Sequence, residues 1–285
     1  MSDPFTITSP VFLKDLIEIV VDWHVSDGDA AKRFTIRQPP GNGLILIAQY
    51  RKPAGAKWQF GLEVQTCNEH QFAGTLVQSG VVNVKPTAPF GATAIYIRPE
   101  AAISVFGCLK EFANAKVDLR DVFRAGELER LHELLAESQK TPERLAHIET
   151  FLLRNARRSS GLSAARHAAR SLRSRPGLRR SRLAEEMSIS ERHLSRVFLD
   201  SFGISPKRFA KIARIEKLMA GCRNGLNWLD VAYGCGFCDQ SHMIRDFKEI
   251  IGQSPGEFFR ALAGGPRSLA GGSNSTFAIT EAPCT

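Results

Sequence analysis

The feature that most constrains this chain is an internal repeat. Residues 190–209, Ser-Glu-Arg-His-Leu-Ser-Arg-Val-Phe-Leu-Asp-Ser-Phe-Gly-Ile-Ser-Pro-Lys-Arg-Phe, align with residues 239–258, Asp-Gln-Ser-His-Met-Ile-Arg-Asp-Phe-Lys-Glu-Ile-Ile-Gly-Gln-Ser-Pro-Gly-Glu-Phe, at an offset of 49. Identities fall at His193/His242, Arg196/Arg245, Phe198/Phe247, Gly203/Gly252, Ser205/Ser254, Pro206/Pro255 and Phe209/Phe258, and Leu194 is matched by Met243. Glycine and proline at fixed places in both copies mean that one supersecondary unit occurs twice.

Each copy opens on a helix-capping residue, Ser190 or Asp239. Leu194 with Phe198, and Met243 with Phe247, are i,i+4 apolar pairs that define an inward face. Gly203 and Gly252 suit a helix end, and Ser-Pro then starts the next element. Upstream, residues 183–187 and 229–233 read as shorter helices across a tight turn. Short helix, turn, second helix is a helix-turn-helix unit, whose second helix enters the major groove with its N-terminal residues at the base edges.

Arg192, Ser195 and Arg196 lie on the face opposite the apolar pair in the first copy. Ser241 and Arg245 occupy that face in the second, flanked by Gln240 and Ile244. Arginine pairs bidentately with guanine and glutamine with adenine; the same arginines can instead contact phosphate or form surface ion pairs. His193 and His242 match in register and fit either packing or phosphate donation. The DNA-binding set read from the sequence is Arg192, Ser195, Arg196, Gln240, Ser241, His242 and Arg245.

Between the copies, Phe209, Ile212, Ile215 and Met219 form a helical stripe over Pro206 to Ala220. Such a helix is about 22 Å long, a spacer able to hold two reading helices about one DNA turn apart. Leu162 to Arg173 reads as a further helix. Its basic stripe, Arg166, Arg170 and Arg173, suits either solvent or phosphate.

Charge follows the same division. The chain of 285 residues carries a formal +9. Residues 1–155 hold 17 basic and 18 acidic side chains, and residues 156–285 hold 21 and 11. All the excess positive charge therefore accompanies the repeat, which suggests a near-neutral module joined to one that meets a polyanion.

The N-terminal half has a different period. Ile17, Ile19, Val21, Trp23 and Val25 alternate with mostly polar neighbours, as do Trp58, Phe60, Leu62 and Val64, which predicts strands with one buried face. Leu44 to Ala48, Val81 to Val84 and Ala94 to Ile97 are further strands bounded by proline or glycine. After Pro99 the spacing turns helical, through Leu128, Leu131, Leu134 and Leu135. A second helix starts at Thr141-Pro142-Glu143, with threonine as the cap, and carries Leu145, Ile148 and Leu152.

The fold class expected is two-domain α+β. Residues 1–157 form a small β-sandwich or jelly roll followed by helices; residues 158–262 are all-α, a double helix-turn-helix. Residues 263–285, rich in Gly, Ser and Ala, are expected to be disordered.

No catalytic, cofactor or metal residue is assigned. There is no G-x-S-x-G, P-loop or G-x-G-x-x-G, and His24 and His70 stand far apart. Trp23, Tyr50, Trp58 and Tyr96 either line a small-molecule pocket or fill the core. Cys235 and Cys238 form a Cys-x-x-Cys with no second pair nearby to complete a zinc site, and read as small residues in a tight turn. With no long apolar run and no signal peptide, a cytoplasmic protein without membrane contact is expected.

These residues resemble a known family. The segment from about 162 to 262 is similar to the DNA-binding domain of AraC/XylS-type bacterial transcription regulators. Gly236-Phe237-x-Asp239-Gln240-Ser241-His242-x-x-Arg245-x-Phe247-Lys248 and Gly252-x-Ser254-Pro255-x-Glu257-Phe258 carry the resemblance. More loosely, Pro-Pro-Gly-Asn-Gly at 39–43, Ile-Arg-Pro99 and the run from Pro142 to Leu153 resemble a jelly-roll-like domain found in uncharacterised members of that family. The resemblance implies a promoter-binding activator or repressor that reads double-stranded DNA with the helices starting at Ser190 and Asp239. It implies an N-terminal domain that binds a small-molecule effector or forms a homodimer, and RNA polymerase as the partner of an activator. Two enzymatic readings stand beside it: a DNA-repair alkyl-transfer protein, which needs an activated thiolate, and a metal-dependent barrel enzyme fused to the same DNA-binding domain.

Overall fold

The computed structural model describes residues 5–10, 12–25, 34–51, 56–60, 63–67, 72–86, 90–156, 163–223, 228–263, 267–269 and 277–281. Among them, two six-stranded antiparallel sheets and a set of helices are arranged in layers. The first sheet contains β1 (Phe5–Thr8), β2 (Ile17–Val25), β9 (Phe90–Ile97), β4 (Leu44–Gln49), β7 (Phe72–Thr75) and β10 (Lys116–Asp118), in that order. The second contains β11 (Arg267–Leu269), β12 (Phe277–Glu281), β3 (Phe34–Gln38), β8 (Val82–Pro86), β5 (Ala56–Phe60) and β6 (Glu63–Cys67).

Strand β2 explains the layering. Ile19, Val21, Trp23 and Val25 join a cluster with Phe5, Phe90, Ala92 and Tyr96, against which Ile36 of the second sheet packs. The other face of β2 is also covered. Ile17 and Val20 join a larger core shared with the helices, across an irregularity in register between Ile17 and Ile19. The sequence predicted one buried face, but β2 has two. Two of its polar alternates, Glu18 and Asp22, are buried as well, because they meet arginines from helices laid across that face, while His24 is exposed. Trp23, Tyr50 and Tyr96 are core residues. The Tyr50 hydroxyl donates to the Trp23 carbonyl at 2.8 Å, and that of Tyr96 to Gln38 Oε1 at 2.8 Å. The Trp58 side chain lies outside the described residues.

The alternation expected to run unbroken from Trp58 to Val64 is instead a hairpin. β5 and β6 pair antiparallel with Phe60 opposite Glu63, and Gly61 in the sequence is the break that the hydrophobic pattern overrode. Part of the tail expected to be disordered is also strand: β12 pairs with β3, Ile279 opposite Ile36. Its Phe-Ala-Ile-Thr-Glu run is β-prone, and β3 offers it an otherwise open edge.

The first helices in the chain are α1 (Pro99–Phe106), α2 (Ala125–Glu137) and α3 (Thr141–Asn155), with β10 between α1 and α2. Thr141 is the first helical residue rather than the cap. Its hydroxyl donates to Asp22 Oδ2 at 2.7 Å, and the Glu143 carboxylate instead accepts the N–H groups of Gln139 and Lys140. Arg144 completes the seam between α3 and β2. Its Nη2 is 2.7 Å from Asp22 Oδ2, and its guanidinium lies over the Tyr50 ring.

The remaining helices are α4 (Ser163–Ser174), α5 (Arg180–Glu186), α6 (Glu191–Phe202), α7 (Pro206–Arg223), α8 (Trp228–Gly234), α9 (Gln240–Ile251) and α10 (Pro255–Ala263). One apolar core runs from Ile17, Leu44 and Ile97 through Ala102 and Ile103 of α1 to Ala165, Leu172, Phe198, Ile215 and Phe247. The two halves are therefore docked on each other by burial of apolar surface, worth about 25 cal/mol per Å² removed from water.

Candidate nucleic-acid interface

The sequence repeat is a structural repeat. α6 and α9 span 12 residues each and start and end 49 positions apart. The Ser190 hydroxyl accepts the His193 N–H at 3.1 Å, and Asp239 Oδ1 accepts the His242 N–H at 2.7 Å. Gly203 and Gly252 close the helices in the left-handed region, at φ 71° and 88°, which glycine enters without a Cβ penalty. Behind α6, Leu194, Phe198 and Phe202 pack with Phe209 of α7; behind α9, Met243 and Phe247 pack with Phe258 of α10.

The turns differ by one residue. Residues 187–190 separate α5 from α6, and residues 235–239 separate α8 from α9. Each holds one left-handed residue, Ser188 at φ 53° and Gly236 at φ 85°. Within the longer turn Cys235 is buried and Cys238 exposed, so the two thiols face different surroundings. Among the described residues no group of three or more His, Cys, Asp or Glu side chains is placed to hold a metal.

The outward faces carry the expected polar residues. Arg192, Arg196, Gln240, Ser241 and Arg245 are exposed, and Ser195 is partly exposed. Arg192 and Arg245 have no ion-pair or hydrogen-bond partner among the described residues. Arg196 is oriented along its own helix, with Nη2 2.9 Å from His193 Nδ1. The Ser195 hydroxyl donates to the Glu191 carbonyl at 2.8 Å and keeps acceptor capacity for a partner.

His242 is different. Its Nε2 lies 3.2 Å from Asp246 Oδ2, its Nδ1 accepts the Cys238 N–H at 3.4 Å, and its ring stands edge-on to Phe237. Both ring nitrogens thus have partners inside the unit. Leu199 was not picked out from the sequence. It lies three residues after Arg196 on the same helical face and is exposed, where it could meet a thymine methyl group.

Asp246 ties α9 to α7. Arg214 Nη2 is 2.7 Å and Lys211 Nζ 3.0 Å from its carboxylate, and Arg214 Nη1 donates to the Pro176 carbonyl. Burial alone would raise the Asp246 pKa, but the hydrogen bonds from Arg214 and Lys211 hold it below its ordinary value. The basic stripe of α4 is divided in use: Arg166 and Arg170 are exposed, while Arg173 is buried against Glu100. Burying an arginine requires paired carboxylates, and the first half of the chain supplies them, so Arg173 is withdrawn from phosphate.

A helix-turn-helix domain family matches residues 183–261. No curated protein sequence matches the chain. Among solved structures, an apo variant of ToxT from Vibrio cholerae strain SCE256 is similar in fold, with a TM-score of 0.50 and 12% identity over 91% of this chain and 98% of that one. Another ToxT structure from Vibrio cholerae gives 0.49 and 14%, over 92% and 100%. CuxR, an AraC-like transcriptional activator, gives 0.28 and 15%, over 76% and 88%. No helix of the described residues is long and apolar enough to cross a membrane.

Proposed function

We propose, from the premise that this chain is a DNA-binding transcriptional regulator with an AraC-type helix-turn-helix domain at its C-terminus, that α6 and α9 read successive major grooves of one promoter duplex. Arg192, Ser195, Arg196 and Leu199 meet one half-site; Gln240, Ser241 and Arg245 meet the other. Arg166 and Arg170 supply phosphate affinity. The observation that carries this reading is the duplicated capped helix, with Arg196 and Arg245 exposed at equivalent positions.

Residues 158–262 are the DNA-binding domain in this reading, and residues 1–157 sense a signal or pair with a second copy. A cavity of about 380 Å³ beside α3, lined by Thr6, Asp22, His24, Lys140, Thr141 and Arg144, is the place this reading gives a small-molecule effector. The protein acts in the cytoplasm of a bacterium, without catalysis, and an activating role would bring it to RNA polymerase.

Titration with duplex DNA from the gene's own upstream region tests the assignment. Binding should exceed that to random DNA, and log K should fall linearly with log salt. Equal affinity for every sequence would refute it.

A further inference from the structure

The two recognition helices end on the N-terminal half of the chain in the same way. Ser201 and Ile250 stand one repeat apart, 49 positions, each the penultimate residue of its helix. The Ser201 carbonyl accepts the N–H of Leu109 at 2.8 Å, and the Ile250 carbonyl accepts the N–H of Gly80 at 2.8 Å. Carbonyls in the last turn of a helix lack partners within it. Here two equivalent ones are satisfied from outside the repeat.

Neighbouring bonds reinforce the contact to α6 and tie the same segment to α7. Gln78 Nε2 donates to the Phe202 carbonyl at 3.2 Å, the Cys108 thiol to the Asp200 carbonyl at 3.0 Å, and Arg208 Nη2 of α7 to the Gln78 carbonyl at 3.1 Å.

The two donors belong to one piece of structure. Asn114 Oδ1 accepts the N–H groups of Gln78 and Ser79 at 2.8 and 3.1 Å. Leu76 exchanges backbone bonds with the same segment, its N–H donating to Phe112 and its carbonyl accepting from Asn114, each at 2.8 Å. Residues 76–80 and 109–114 are thus bonded into a single block. Asn114 holds the block together from a left-handed backbone at φ 52°, and Gly80 presents its N–H at φ 68°.

We propose that this block is a brace: it fixes α6 and α9 relative to each other and so sets the half-site spacing that the protein accepts on DNA. The proposal rests on the reading of α6 and α9 as recognition helices. Without the brace, the two units are joined by α7, their packing on it and the close approach of Gly177 to the turn at Gly236. With the brace, a third body closes a ring through both helix ends. Each added base pair moves a half-site by about 3.4 Å and rotates it about the duplex axis, so a rigid pair of helices fits one spacing and a loose pair several. Asn114 and Gln78 touch no DNA in this scheme. They are positioning residues whose effect is on spacing.

The test compares the full chain with Asn114→Gly, which keeps the left-handed backbone and removes the acceptor. For the DNA-free measurement, keto-bearing residues replace Arg192 and Ser241 and carry spin labels, leaving the native thiols untouched. Wild type should give one narrow interlabel distance, and Asn114→Gly a distribution at least twice as wide with unchanged far-ultraviolet circular dichroism. Equal widths would overturn the brace. If Asn114→Gly fails to fold, Gln78→Ala, which leaves the loop backbone intact, is measured instead under the same criterion.

The unlabelled proteins are then used for selection from a random 40-base-pair duplex library. Wild type should return paired motifs at one spacing, and the variant the same motifs at several. A single shared spacing would overturn the proposal. Failure of wild type to enrich any motif would overturn the DNA reading itself, while the label distances still decide the brace.

Discussion

Arg173 Nη1 lies 2.8 and 2.9 Å from the two carboxylate oxygens of Glu100, joining α4, the helix that leads into the repeat, to α1. Glu18 of β2 adds a third oxygen at 3.5 Å from Nη2. All three residues are buried. Removing one partner of such a pair leaves an uncompensated charge in the core. Arg173→Ala should therefore cost about 3–5 kcal/mol, read as a lower urea midpoint at unchanged m-value. Arg173→Met combined with Glu100→Gln should recover part of that loss. If Arg173→Ala leaves the midpoint in place, the ion pair does not hold the two halves together.

Glu216 of α7 sits in the same seam, fully buried. It accepts the Asn42 backbone N–H at 2.9 Å and the Asn42 amide at 3.3 Å. Burial pushes its carboxyl up to about 8, against the opposing pull of Arg173 and Asn42. The folded chain thus holds a proton that the unfolded chain releases above its ordinary value of 4.5. The resulting stability is fully present below about pH 4.5 and is lost as pH rises through about 8. Urea midpoints should fall across that window, and Glu216→Gln should remove this component of the slope. An identical slope in Glu216→Gln would mean that the carboxyl is already ionised in the folded state.

The repeat was legible because its signals are local: caps, i,i+4 pairs and terminal glycines sit within a dozen residues of one another. Strand β2 was legible in position but not in environment. Glu18 and Asp22 have the spacing of a solvent face, and only tertiary contact with Arg173 and Arg144 reveals them as buried. For the same reason Arg173 read as one member of a basic stripe. His242 matched His193 in register, but its ring is directed by Asp246, whose charge has no counterpart in the first copy, where Val197 stands. The strand at 277–281 was hidden by averaging composition over a longer tail.

Asp246 is the buried carboxylate on which Arg214, Lys211 and His242 converge. Asp246→Asn should destabilise the second unit by about 3 kcal/mol. Amides of residues 239–252 should then exchange faster than those of residues 190–203. In wild type this contribution is present above the ordinary aspartate range and lost as pH falls through the lowered folded value. Equal exchange rates in the two units would show that α7 holds α9 by apolar packing alone.

Arg192 and Arg245 are exposed on the reading faces without a protein partner among the described residues, so neither must break an internal bond to reach DNA. A bidentate contact to guanine is worth about 1–3 kcal/mol of discrimination, whereas a phosphate contact changes the salt slope by about 1 and leaves sequence preference intact. Arg245→Ala should weaken specific binding by the former amount, and Arg130→Ala, an exposed change on α2, should not. The two recognition helices can be told apart by a double-mutant cycle. Arg245→Ala combined with base changes in its own half-site should be non-additive, because the contact is already gone. Combined with changes in the other half-site it should be additive. Additivity in both half-sites, with a reduced salt slope, would reassign Arg245 to phosphate.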